Sequence, residues 1–177
     1  MSDDADLFEF FDDLEAEAEA LAHRERVGDL ADRGHSEYHE VPLAARLMAS
    51  TGQELAIEVL GIGPVQGELV RVGPDWCAVQ RGAVRWIIAL DAVTVVRGAS
   101  ARAVPQVAWG PVDRLGLRSA LRRLADSGQA CTIHLRDGAR IEAGVRRVGA
   151  DFVEVATPSG EPMLLASRHL AALRHDS

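Results

Sequence analysis

The 177-residue chain contains no lysine: all 19 of its basic residues are arginine. Every basic side chain is therefore a planar guanidinium, suited to gripping a carboxylate or phosphate through two parallel hydrogen bonds. Aromatic residues make up only 5 % of the sequence, and the cysteines number two, Cys77 and Cys131. Two cysteines cannot build a disulfide framework or a cysteine-based zinc site. Both are expected to be reduced and buried. No apolar run reaches the roughly 18 residues that a membrane-spanning helix needs, so no membrane partner is expected. The opening Met1-Ser2-Asp3-Asp4 is acidic where a secretory signal is basic and then apolar, which predicts a cytoplasmic location.

Apolar residues make up 47 % of the chain, enough for a buried core, and the formal net charge is −8. Spread evenly, that charge opposes binding to phosphates. It is not spread evenly. Residues 1–40 hold 14 acids and 3 arginines, residues 41–100 hold 5 of each, and residues 101–177 hold 8 acids and 11 arginines. The nets are −11, 0 and +3, a segregation typical of a chain with an interaction tail.

The acidic segment carries Leu7, Phe11, Leu14, Ala18 and Leu21 at 3–4 spacing, with Phe8 and Phe10 beside them. An amphipathic helical arm is expected over residues 1–41, with its apolar stripe under a negative coat. Leu7, Phe8, Phe11 and Leu14 are candidate partner-binding residues, because such a stripe fits a partner's groove.

Shifting the body of the chain by 76 residues aligns it with itself without a gap over positions 46–79. Ten identities result, among them Gly52 with Gly128, Ile57 with Ile133, and Arg71-Val72-Gly73 with Arg147-Val148-Gly149. Two copies are therefore expected, at 42–98 and 113–177, joined by a linker at 99–112 that contains Pro105, Gly110 and Pro111. Each copy shows a short helix and then five short strands. Leu117, Leu121, Leu124 and Ala125 form a helical stripe ended by Gly128. Cys131, Ile133 and Leu135 alternate with Thr132 and His134, so His134 is expected to face solvent. Asp137-Gly138 is a hairpin turn signal. Five brief strands cannot cover both faces of a flat sheet, so each copy is expected to curl into a small barrel. The predicted fold class is mainly β with helices: two tandem helix-plus-five-strand barrels of the Sm-like or SH3-like type, preceded by the acidic arm.

This order of motifs resembles the Sm-like (LSm/Hfq-like) small β-barrel family, the second copy more closely than the first. Leu117-Arg118-Ser119-Ala120-Leu121-Arg122-Arg123 looks like the family's helix. Thr132 to Gly138 looks like its first strand and turn, Asp151-Phe152-Val153 like the start of its third strand, and Arg168-His169 like the basic pair before its last strand. The resemblance implies that Phe152, Arg168 and His169 line an RNA-binding surface, the ring stacking a base and its neighbours holding base edge and phosphate. The first copy departs from the pattern, with Asp91-Ala92 at the position of Arg168-His169.

Read from charge alone, Arg118 and Arg122 lie off the apolar stripe of their helix and are further nucleic-acid-binding candidates. Trp76 and Trp86 are expected to fill or border the first copy, and Trp109 to pin the two copies together. His35 and His39 have a metal-ligand spacing, but no downstream ligand cluster accompanies them. No metal, cofactor or catalytic residue is expected, and the chain is expected not to be an enzyme. Two function classes follow. One is an RNA-associated binding module whose acidic arm competes with phosphate. The other is a protein-interaction adaptor docking through the arm. Self-association into a homo-oligomer is a further expectation.

Overall fold

The computed structural model describes residues 39–176. Contacts divide the chain into a unit of residues 1–41 and a unit of residues 42–177, and the second is described here. Leu7, Phe8, Phe11 and Leu14 lie outside the described residues, as do the rest of the expected arm up to Tyr38 and His35.

Among its described residues, two α-helices and ten strands build the unit. Helix α1 (Leu43–Met48) precedes β1 (Glu54–Val59), β2 (Gly63–Val72), β3 (Trp76–Arg81), β4 (Val84–Ala89) and β5 (Val93–Arg97). Helix α2 (Leu117–Ser127) precedes β6 (Ala130–Leu135), β7 (Arg140–Val148), β8 (Phe152–Ala156), β9 (Pro162–Ala166) and β10 (Leu170–Asp176). Local chemistry accounts for many of these boundaries. In β1, Leu55, Ile57 and Val59 are buried while Ala56 and Glu58 are half-buried, the period of two that fits a pleated strand. Helix α2 ends at Gly128, whose φ of 65° is the left-handed cap that glycine adopts without a Cβ clash. Its start is capped from a distance: Leu117 N donates to Asp75 Oδ1 at 2.7 Å, across 42 residues of sequence. That carboxylate satisfies one of the amides a helix start leaves unpaired.

All ten strands form one open sheet, in the order β5-β1-β2-β3-β4-β10-β6-β7-β8-β9. This overturns the expectation of two tandem barrels, and with it the Sm-like assignment and the reading of the body as an internal repeat of separate copies. The physical reason is the choice of partner for β4. Instead of closing within its own half, β4 pairs antiparallel with β10, from Ala172 opposite Ile88 to Asp176 opposite Val84. The other edge of β10 pairs with β6. The sheet therefore runs unbroken through the middle of the chain and stays open at β5 and β9.

Burial follows from that junction. One cluster centres on Leu47, Ile57, Leu69, Val79 and Ile88, and a second on Leu121, Ile133, Val145, Val155 and Leu173. β10 serves both: Ala171 and Ala172 join the first cluster, while Leu170 and Leu173 join the second. A strand covered on both faces has no exposed register, and Leu170 to Leu173 are all buried. The turns also meet. A Cβ on Gly61, whose φ is +75°, would lie 2.6 Å from Leu135 O and 2.7 Å from Arg136 O. The β1–β2 turn is thus pressed on the β6–β7 turn, and glycine is what the close approach permits.

Candidate nucleic-acid interface

At the β9 end of the sheet, the β7–β8 turn (Gly149-Ala150-Asp151) is held from two sides. Arg118 Nη1, on α2, donates to Ala150 O at 3.1 Å. Ser167 N donates to Asp151 O at 2.8 Å. The second bond anchors a single 3-10 turn, Ser167–His169, beside the start of β8. Phe152 begins β8 opposite Ala166. Its ring lies over Gly149, where a Cβ would collide with it. Phe152 remains 38 % exposed. Arg168 and His169 are both exposed, and Arg168 Nε donates to His169 Nε2 at 3.2 Å.

The backbone thus places Phe152 beside the turn that carries Arg168 and His169, with Arg118 bonded to the Gly149–Asp151 turn. Arg122 is exposed one helical turn beyond Arg118, on the same face of α2. Among the described residues, Arg118, Arg122 and Arg168 form no ion pair with a carboxylate. Arg136 and Arg147 differ. Arg136 pairs with Asp91, and Arg147 pairs with Glu154. Asp91 holds Arg136, whose backbone N–H in turn donates to His169 O at 3.0 Å. An exposed ring flanked by uncompensated guanidinium groups can stack a base and hold its phosphates.

Several expectations need correcting. His134 is 4 % exposed instead of facing solvent, and neither ring nitrogen has a hydrogen-bond partner. It lies on β6 beside the junction strand, its ring centroid 5.0 Å from that of Trp86. Burial, reinforced by the Arg140 and Arg174 charges, lowers its pKa below the ordinary 6.5. Trp109 packs in the first cluster, its indole N–H donating to Val104 O at 2.8 Å, so it secures the linker to the first half. Trp76 lies on the sheet face opposite the first cluster, near α2, and its indole N–H donates to Leu115 O. Both cysteines are free and buried, and burial pushes Cys77 up to about 12 and Cys131 to about 11, leaving thiols of little reactivity at neutral pH.

Among the described residues, no group of three or more His, Cys, Asp or Glu side chains is placed to hold a metal ion, and no helix is long and apolar enough to cross a membrane. Sequence reasoning missed a cleft between α2 and the sheet lined by Arg71, Arg85 and Arg123. Its first two arginines come from the segment of zero net charge, so composition gave no signal for it. The chain matches no family model and no curated protein.

Proposed function

We propose that this chain is a non-enzymatic binding module for single-stranded RNA. Phe152 stacks a base, Arg168 and His169 hold its edge or phosphate, and Arg118 and Arg122 extend the cationic track. The observation that carries this reading is the exposed Phe152 beside the Arg168–His169 turn, with none of Arg118, Arg122 and Arg168 neutralised by a carboxylate among the described residues. Residues 1–40, with their net of −11, compete with phosphate for these cations through charge alone.

Fluorescence anisotropy with a labelled single-stranded RNA tests this reading. Stacking on one aromatic side chain contributes about 1–3 kcal/mol, so Phe152→Ala should weaken binding by about fivefold or more. Removing residues 1–40 should strengthen it. No binding at low salt with or without residues 1–40 refutes the proposal. RNA affinity unchanged by Phe152→Ala places the interface elsewhere.

A further inference from the structure

We infer that the cleft between α2 and the outer face of β3 and β4 is a binding site for a small organic anion with an apolar body. The cleft is a cavity of about 440 Å³, within the roughly 300–1,000 Å³ typical of small-molecule sites. Its floor is Trp76, Ala78 and Ile87, a buried cluster of its own on the face away from the first core. Backbone pairing sets this floor. Arg71 stands opposite Ala78, Ala78 opposite Ile87, and Ile87 opposite Leu173, so the apolar row runs from a guanidinium at one end into the second core at the other. Leu115 O already takes the indole N–H of Trp76, so that ring offers a ligand apolar surface only.

Three arginines line the cleft: Arg71 from β2, Arg85 from β4 and Arg123 from α2. Among the described residues, no aspartate or glutamate lines the cleft and none of the three arginines forms an ion pair. Arg85 is half-buried, and its guanidinium donates to a neutral oxygen, Gln80 Oε1, at 2.7 Å and 3.3 Å. A guanidinium that has lost part of its hydration and bonds only a neutral oxygen favours an anion arriving as its counter-ion. His175, opposite Arg85 across the β4–β10 ladder, also lines the cleft. It is 8 % exposed, and its Nδ1 has no hydrogen-bond partner. Apolar floor and cationic rim together select against both a bare inorganic anion, which cannot use the floor, and a neutral hydrocarbon, which cannot use the rim. The site is separate from Phe152, and neither proposal depends on the other.

The test is titration of the full chain with 8-anilinonaphthalene-1-sulfonate, followed by its fluorescence. One saturable site per chain is expected, emptied by 2-naphthoate but not by inorganic phosphate or uncharged 2-naphthalenemethanol at the same concentration. Arg85→Gln combined with Arg123→Gln should weaken binding tenfold or more with the melting profile intact. Arg71→Gln and Arg123→Gln, both at exposed positions, provide singly substituted versions should the double variant unfold. Phe152→Ala should leave the titration unchanged. Non-saturable binding, equal displacement by the uncharged compound, displacement by inorganic phosphate alone, or an unchanged affinity in the folded arginine variants would overturn the inference.

Discussion

Ile133→Ala is the perturbation that most sharply probes the junction. Ile133 is 1 % exposed on β6, opposite Leu173 on one side and Ile141 on the other, and it belongs to the second cluster. Truncation removes three buried carbons, and the flanking strands are fixed by their own ladders, so little of the void can close. Isoleucine-to-alanine changes at such positions destabilise by about 2–5 kcal/mol; a value of about 3 kcal/mol with a urea slope of about 2 kcal/mol/M lowers the unfolding midpoint by about 1.5 M. Trp109 packs in the first cluster, Trp86 lies between that cluster and His134 of β6, and Trp76 packs against α2, so tryptophan emission reports on the first half and on its junction with the second. Because β10 contributes to both clusters and pairs with both β4 and β6, the two halves should unfold together. Emission and far-ultraviolet circular dichroism should shift by the same amount and remain superimposable. Emission that keeps its wild-type midpoint while circular dichroism splits into two steps would refute the single-sheet account and restore two independent units.

Two other outcomes follow from the same geometry. The unfolded chain takes up a proton on His134 as pH falls through about 6.5, whereas the folded chain resists it. The stability that His134 contributes is therefore full above that pH and is lost as acidification proceeds below it. His134→Leu should remove that part of the slope, and urea midpoints at pH 5 to 7 that fall in parallel for both proteins would contradict the burial argument. The open edges β5 and β9 carry Val95 at 43 % and Leu164 at 68 % exposure, which invites strand pairing between copies. We propose self-association through these edges; sedimentation should show it reduced by Leu164→Lys, and a monomer at all concentrations before substitution would count against it.

The helices and most strands were legible because their signals are local. Alternation in β1 and β6, the stripe of Leu117, Leu121 and Leu124, and the Gly128 cap each express the period or dihedral of one element. The partner of β4 was not legible, since any exposed strand edge satisfies backbone hydrogen bonds and no residue within Val84–Ala89 names the strand that will fill it. One clue was present: Leu170-Ala171-Ala172-Leu173 lacks alternation, as suits a strand covered on both faces. The same junction explains His134, whose outward register became an inward one once the neighbouring half covered it. Of the proposed binding residues, Phe152, Arg168 and His169 were named from the order of motifs, whereas the arginine-lined cleft exists only because α2 of one half lies near β3 of the other.

The most direct measurement of the proposed function is the salt dependence of single-stranded RNA binding by the full chain, compared with a variant carrying Arg118→Gln, Arg122→Gln and Arg168→Gln. Each phosphate contact on a single strand contributes about 0.7 to the slope of log affinity against log salt. If the three arginines each hold a phosphate, the slope should fall by about 2 and the affinity at low salt with it. Identical slopes and affinities in the two proteins would show that this surface does not hold RNA.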